Sequence, residues 1–243
     1  MDYLALGDSI TFGHDLKTKL SPFPAHVQML LEESDEISLQ LHAKPGWTSD
    51  RLLRSISRSR DRLGEESRLV TLIIGGNDII KYTLPLLTGK TSGLSRAAEQ
   101  LSHNIRSIVS LVARPGTTVL LGTLYNPFPN WWVMEKATQI VNQHIRRLIE
   151  WEDVHLLDLE QLFRSKEKDW IDGYKKGRFL DLRPIGNPIH PNLEGHQAIA
   201  EEIVRVYKQM VSTRNESPQE RRCISVLEDH PPEINGWDMQ AVE

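Results

Sequence analysis

The feature that most constrains the fold is an alternation of short apolar runs with segments of helical periodicity. Runs at 3–6, 69–74 and 118–121 are apolar almost throughout, and weaker runs lie at 37–41 and 154–157. Strands that are apolar at successive positions are typical of a parallel sheet with both faces covered. Helical periodicity fills the intervening segments, at 25–33, 50–63, 94–112, 135–151 and 193–211. The pattern predicts an α/β fold with a central parallel sheet of about five strands.

Length and composition favour one main domain. The chain has 243 residues, 39% of them hydrophobic, which is enough for one well-buried core. After about residue 212 the periodicity stops, and Pro218, Pro231 and Pro232 interrupt a charged segment. We therefore expect a domain over 1–212 and a C-terminal tail over 213–243, only partly ordered.

Charge, cysteine content and hydropathy exclude several classes of function. With 29 basic against 33 acidic residues the net charge is -4, so nucleic acid is not an expected partner. A single cysteine, Cys223, rules out an intrachain disulfide and a cysteine-rich zinc site. The sequence has no apolar run of about 18 residues and no basic, apolar leader. We therefore expect no membrane span and a cytoplasmic location.

Polar and glycine residues concentrate where the predicted strands end. The strand ends are followed by Gly7-Asp8-Ser9, Pro45-Gly46-Trp47-Thr48, Gly75-Gly76-Asn77-Asp78 and Tyr125-Asn126-Pro127. In open α/β sheets, ligands bind beyond the carboxyl ends of the strands. The sequence thus places a candidate site along this edge.

Two residues suit nucleophilic catalysis, although each also has a purely structural explanation. Ser9 follows a strand directly, which suits a nucleophilic hydroxyl, but a serine there also suits a helix N-cap. His190 lies in a proline-flanked turn before the last helix, which suits a fixed general base, or simply a turn histidine. His196 falls inside that helix, and we expect it to pack there or to cap a carbonyl.

Two further positions offer hydrogen-bond donors. The side-chain amide of Asn77 is able to donate to an oxyanion, although Gly-Asn-Asp is also common in plain turns. Gly46 offers a backbone N–H with no side chain in the way, or is only a loop glycine.

These pieces occur together and in order, and in that form they resemble a known superfamily. The segments Leu6-Gly7-Asp8-Ser9-Ile10-Thr11, Gly46-Trp47-Thr48, Gly75-Gly76-Asn77-Asp78 and His190-Pro191-Asn192 with Gly195-His196 are similar to the four blocks of the SGNH (GDSL) hydrolases. The resemblance implies a flavodoxin-like three-layer α/β/α sandwich and a serine esterase or lipase that uses no metal or cofactor. It also implies that Ser9 is the nucleophile, that His190 is the base, and that the Ser9 and Gly46 N–H groups and the Asn77 amide form the oxyanion hole.

The same resemblance suggests a substrate class and a location. The resemblance implies that the substrates are acyl esters, which in that superfamily include small esters, lipids and acetylated sugars. The stretches Thr123-Leu124-Tyr125-Asn126-Pro127 and Pro188-Ile189-His190-Pro191-Asn192 are similar to spore-associated lipases of Bacillus-like bacteria, which adds spore association to the expected cytoplasmic location.

One departure from the family pattern concerns the group that orients the histidine. The family usually has an aspartate three residues before it, where this chain has Asn187. An amide oxygen accepts the imidazole N–H but supplies no charge. Either the enzyme therefore works as a Ser-His pair, or His190 is oriented by Asn187, Asp181 or a backbone carbonyl.

Two other functions are weighed against the esterase. A metal-dependent phosphoesterase would use Asp8, Asn77, Asp78 and His190 as ligands. A binding module that has lost turnover is motivated by Asn187. For the esterase, the aromatic and proline residues Trp47, Phe128, Pro129, Trp131 and Trp132 are candidate walls around an acyl chain, or ordinary packing residues.

Overall fold

Five strands form one parallel sheet in the order β2-β1-β3-β4-β5. The structure is a computed structural model that describes residues 1–16, 22–32, 36–59, 67–150, 154–183 and 186–215. The strands are β1 (Asp2–Gly7), β2 (Ser38–Ala43), β3 (Ser67–Ile73), β4 (Thr118–Gly122) and β5 (Val154–Leu157). All five predicted strands are present, and their ends lie within two residues of the predicted ones.

The helices connect these strands in sequence. They are α1 (Ser9–Phe12), α2 (Phe23–Glu32), α3 (Ser49–Arg58), α4 (Gly76–Leu86), α5 (Ser92–Val112), α6 (Trp132–Arg146), α7 (Leu159–Phe163), α8 (Glu167–Trp170) and α9 (Leu193–Asn215), with 3₁₀ turns at Arg147–Glu150 and Phe179–Asp181. The five predicted helices are present, although α3 ends at Arg58 and residues 60–66 lie outside the described residues. The sequence did not predict α1, α4, α7 or α8. Three of these span only four or five residues, too short to show periodicity.

Burial on both faces explains why the strands are apolar at successive positions. Alternate strand residues such as Leu4, Leu6 and Leu72 form one core with α3, α5 and α6. Their neighbours point to the other face, where Tyr3 and Thr71 are fully buried. The helices α2 and α9 contact each other through stacked rings of Phe23 and His196 and add further buried apolar residues. The sheet thus lies between helical layers, as in a three-layer α/β/α sandwich.

The strand order determines where a ligand site belongs. β1 pairs with β2 on one side and β3 on the other, parallel in both cases. The chain therefore moves from β1 to one side of the sheet to form β2, and then crosses to the other side of β1 to form β3. Such a change of direction opens a crevice at the carboxyl ends of β1 and β3. The segments beginning at Asp8 and Gly75 lie at this crevice.

The C-terminal end of the domain differs in one respect from the expected boundary. α9 continues to Asn215, beyond the boundary predicted at 212, and residues 216–243 of the predicted tail lie outside the described residues. By internal contacts the chain divides into units over Met1–Tyr207 and Lys208–Glu243; of the second, only the end of α9 is described. None of the helices in the described ranges is long and apolar enough to cross a bilayer.

Candidate active site

Ser9 lies just beyond the carboxyl end of β1, in the first turn of α1. The N-cap of α1 is Asp8, whose side chain accepts a hydrogen bond from the Ile10 N–H at 3.0 Å. The alternative in which Ser9 caps the helix is therefore wrong. The Ser9 Oγ instead lies 2.9 Å from Nε2 of His190, a residue 181 positions away in the chain.

The backbone around His190 is held from two sides. The Tyr125 hydroxyl, at the end of β4, donates to the Ile189 carbonyl, and the Tyr125 ring stacks on Phe163 with a centroid distance of 4.2 Å. The Asp172 N–H donates to the His190 carbonyl at 2.9 Å. Hydrogen bonds to two successive carbonyls, those of Ile189 and His190, thus hold the proline-flanked turn.

Asp15, which the sequence analysis did not single out, lies against the second nitrogen of the imidazole. Its Oδ2 is 2.7 Å from Nδ1 of His190. Its φ of +70° is in the left-handed region, which is uncommon outside glycine and often found at functional sites. The sequence offers one weak signal for this placement, which is Gly13. It ends α1 with φ +77°, a conformation that changes the chain direction two residues before Asp15.

Neither of the two side chains expected to orient His190 makes that contact. The Asn187 Oδ1 accepts the Arg183 N–H at 2.8 Å, and Asp181 Oδ2 accepts the N–H groups of Lys176 and Arg178 at 2.9 and 3.0 Å. Both side chains therefore bond to the backbone of their own loop. His190 Nδ1 contacts the Asp15 carboxylate instead.

The surroundings of His190 keep its imidazole neutral near pH 7. Burial lowers the pKa of His190 below its usual value, and the hydrogen bond and charge of Asp15 oppose that shift. His14 contacts the same ring edge-on, with centroids 5.2 Å apart, and also lowers this pKa. A neutral ring is the form that accepts a proton.

The residues expected to donate to an oxyanion follow the ends of β1, β2 and β3. The Asn77 side-chain nitrogen donates to the Trp47 carbonyl at 3.0 Å and lies 3.5 Å from Asp8 Oδ2. Gly46, directly before Trp47, has φ +75°, a conformation that favours glycine. Asn77 thus ties its own strand end to the loop that carries Gly46.

Asp78 anchors that loop from the other side. Its carboxylate accepts hydrogen bonds from the Ser49 N–H and, at 2.6 Å, from the Ser49 hydroxyl. The Asn104 amide in turn donates to the Ser49 hydroxyl at 2.8 Å. Asp78 therefore fixes the start of α3 relative to α4, which is a structural role that the motif alone does not show.

Asp8 is a buried carboxyl beside the nucleophile. Burial raises the pKa of Asp8 to about 7, and the nearby Asp78 adds to the rise. At neutral pH the group is divided between its protonated and charged forms, and both forms can accept the Ile10 N–H.

A largely aliphatic cavity opens next to Ser9 and His190. It has a volume of about 90 Å³, several times the roughly 10–15 Å³ that one water needs. Its lining includes Ser9, Asn77 and His190 together with the apolar residues Ile73, Ile79, Ile80, Leu124, Met134, Leu159 and Ile189. The three polar groups of the site thus share one apolar cavity.

The expected aromatic walls do not line this cavity. Phe128 and Trp131 are buried and pack edge to face on each other, while Trp132 is 59% exposed. Trp47 contacts His42. None of these four rings, nor Pro129, is among the residues that line the cavity. Phe128 and Trp131 are packing residues, and Trp132 is largely exposed to solvent.

The residues weighed as metal ligands are engaged elsewhere. Asp78 binds Ser49, and His190 lies between Ser9 and Asp15. Within the described ranges, no group of three or more His, Cys, Asp or Glu side chains is placed to hold a metal ion.

His196 also has a defined place. It is fully buried, and its Nδ1 accepts the Phe23 N–H at 3.1 Å. The expectation that it packs in the helix is confirmed, but it binds a backbone N–H and not a carbonyl. Burial lowers its pKa to about 3, so it stays neutral.

The fold and the strand-end blocks correspond to a known family of enzymes. The GDSL-like lipase/acylhydrolase family matches residues 5–198, which include the end of β1, the strands β2 to β5 and the His190 turn. The chain belongs to this family and is an ester hydrolase of the GDSL esterase and lipase class.

Individual relatives are distant in sequence and similar in fold. The spore germination lipase LipC of Bacillus licheniformis is 23% identical over 214 residues, which cover 84% of this chain and 94% of LipC. A lipase from a goat rumen metagenome has a TM-score of 0.70 at 22% identity and covers 85% of this chain and 97% of its own. A catalytic mutant of an acetylxylan esterase from Geobacillus stearothermophilus has a TM-score of 0.60 at 19% identity, covering 85% and 93%.

Proposed function

We propose that this chain hydrolyses carboxylic esters with Ser9 as nucleophile, His190 as general base and Asp15 as the carboxylate that orients His190. The observation that carries the proposal is the continuous line of contacts from Ser9 Oγ through both imidazole nitrogens to Asp15 Oδ2, at 2.9 and 2.7 Å. This is the geometry of a serine hydrolase triad, in which roles and geometry count more than chain order.

The first half of the reaction forms an acyl enzyme. As Ser9 Oγ attacks the ester carbonyl, Nε2 of His190 accepts the hydroxyl proton, and the carbonyl oxygen becomes an oxyanion. His190 then gives that proton to the alcohol oxygen as the ester C–O bond breaks. In the second half, His190 takes a proton from a water molecule, whose oxygen attacks the acyl carbon. The bond between that carbon and Ser9 Oγ then breaks, and His190 returns the proton to Oγ as the acid leaves.

The developing oxyanion needs fixed donors. We assign the Ser9 N–H, the Gly46 N–H and the Asn77 amide to this role. The Asn77 nitrogen carries two hydrogens. One donates to the Trp47 carbonyl at 3.0 Å, and the other, whose hydrogen bond to Asp8 Oδ2 is long at 3.5 Å, would turn to the substrate. Donors that are held in place before the reaction are usually the largest single contribution to such catalysis.

Asp15 supplies the charge that Asn187 lacks. As His190 takes up the proton, the carboxylate at Nδ1 stabilises the imidazolium and fixes the tautomer in which Nε2 accepts. The argument for a binding module that has lost turnover depended on the missing aspartate, and Asp15 removes that argument.

The cavity supports an acyl ester with an apolar chain as the substrate. Ile79, Ile80 and Met134 line it, and aliphatic walls favour an alkyl chain over a sugar. Similarity to a spore germination lipase supports the same substrate class, and it supports the spore association that the sequence suggested. Immunodetection in purified spores would test that location.

The test is active-site labelling together with turnover. A fluorophosphonate should label Ser9 in the wild type and should not label Ser9→Ala, which should also lose p-nitrophenyl ester hydrolysis. Ser57→Ala, at an exposed helical serine whose hydroxyl donates to the Leu53 carbonyl, is the matched control and should keep both. A Ser9→Ala variant that keeps activity within tenfold and an intact circular dichroism spectrum would remove Ser9 from the mechanism, and loss of wild-type activity on chelation would favour the metal alternative.

A further inference from the structure

We propose that the loop over residues 174–183, together with Trp132, is a docking surface for anionic phospholipid. This surface, called the basic loop below, goes beyond the ester chemistry of the active site, and its test requires no turnover. It rests on exposed apolar side chains, on local charge and on its position beside the cavity.

The basic loop exposes large apolar side chains. Leu180 is 86% exposed, the highest value among the large apolar residues of the described ranges, and Phe179 is 45% exposed. Leu182 and Trp132 are exposed as well. Phe179, Leu180 and Leu182 are close in the chain, and Trp132 follows the Trp131 that Phe179 contacts. Exposed large apolar side chains grouped in this way are typical of a binding site.

The basic residues around these apolar side chains favour an anionic partner. Lys175, Lys176, Arg178 and Arg183 lie within nine successive residues, although the whole chain has a net charge of -4. The acidic residue among them, Asp181, binds the N–H groups of the loop's own backbone. Apolar tips beside basic side chains suit the interface of an anionic lipid surface, where the tips enter the acyl boundary and the cations meet phosphate groups.

The basic loop lies next to the active-site cavity. The Gly177 and Lys176 carbonyls accept hydrogen bonds from Asn130, each at 2.8 Å, and Phe179 contacts Trp131 with centroids 5.1 Å apart. Asn130 follows, by three residues, the Pro127 that lines the cavity. At its other end the chain continues to His190.

This position connects docking with substrate delivery. A lipid surface bound at the basic loop brings acyl esters to the edge of the cavity, so that a chain leaving the surface has a short path to Ser9. Hydrophobic insertion and charge attraction act together in such binding, and neither suffices alone for a small surface.

The experiment measures cosedimentation of the full-length protein with vesicles of ether-linked lipids, which esterases do not cleave. We expect binding to vesicles of phosphatidylglycerol and phosphatidylcholine in equal parts, and at least tenfold weaker binding to phosphatidylcholine alone. Leu180→Asp should reduce the partition coefficient at least tenfold. Lys175→Gln with Lys176→Gln should reduce it roughly 25-fold at low salt, at roughly fivefold per charge.

Matched controls lie elsewhere on the fold. Met29→Asp changes a side chain that is 60% exposed on α2. Arg68→Gln with Arg114→Gln removes two exposed charges at the amino edge of the sheet, one in β3 and one just before β4. These variants should bind as the wild type does. Ser9→Ala should also bind normally, which separates docking from catalysis.

Three results would overturn the proposal. They are an absence of wild-type binding to the anionic vesicles, equal binding to neutral vesicles, and equal losses in the control variants and in the variants of the basic loop. Circular dichroism checks that Leu180→Asp is folded, and the lysine pair tests the surface independently of that substitution.

Discussion

Replacing Asp15 by asparagine tests the least expected contact of the site. The substitution keeps the size of the side chain and an oxygen that can face Nδ1 of His190, but it removes the negative charge. If Asp15 stabilises the imidazolium, the plateau of kcat should fall. The pKa of His190 should fall too, because Asp15 raises it against the effect of burial. The acidic limb of the rate profile should therefore move to lower pH even as the maximum rate drops.

The size of the fall in kcat depends on how strongly solvent screens the attraction between Asp15 and the His190 imidazolium. Two unit charges about 4 Å apart attract by about 1 kcal/mol in water and about 4 kcal/mol at an effective dielectric constant of 20. The His190 side chain is 11% exposed, but that of Asp15 is 42% exposed, so solvent screens the pair and the value belongs in the lower half of this range. About 2 kcal/mol corresponds to a fall in kcat of roughly 30-fold.

The assay is kcat and kcat/KM against pH for a short p-nitrophenyl ester. Asp172→Asn is the matched control, because Asp172 also raises the pKa of His190 as a minor contributor and contacts it through its backbone N–H. It should change kcat less than threefold. An Asp15→Asn rate within twofold of wild type, with an unmoved acidic limb, would refute the assignment of Asp15. If Asn187→Asp then restored the rate of Asp15→Asn, the chain would have two positions that can supply the charge.

Three further predictions concern other residues around the site. Asn77→Ala should lower kcat by roughly 10² to 10³ with little change in KM if its amide binds the oxyanion; a change in KM alone would contradict that role. Tyr125→Phe leaves the Ile189 carbonyl without its donor, so it should cost about 1 kcal/mol of unfolding free energy and lower kcat severalfold, and an unchanged Tm and kcat would show that the turn needs no such support. Burial raises the pKa of Asp8 to about 7, so the folded state keeps a proton that the unfolded state loses above about pH 4. The free energy of unfolding should therefore fall as the pH rises from about 4 to about 7. Asp8→Asn should therefore raise Tm relative to wild type more at pH 8 than at pH 4, and an equal shift at both would argue against a titrating Asp8.

The sequence by itself determined the sheet, the edge on which the site lies and the blocks that meet there. Hydrophobic periodicity is a local property, and it located β1 to β5 within two residues because strands buried on both faces must be apolar at successive positions. The position of Ser9 and Asn77 along this edge was predictable because each follows closely after a strand, and that of His190 because it lies shortly before α9. The order of the blocks along the chain indicated the family, which the match over residues 5–198 shows.

Only the tertiary structure decided which side chains meet within that edge. Asp15 and His190 are 175 positions apart, and a left-handed residue after a one-turn helix brings them together, which no periodicity or spacing records. Asn187, nearer in sequence, bonds within its own loop instead. The cavity wall is aliphatic because Phe128 and Trp131 pack against each other. Contacts of this kind depend on distances between segments, which the sequence specifies only through the complete fold.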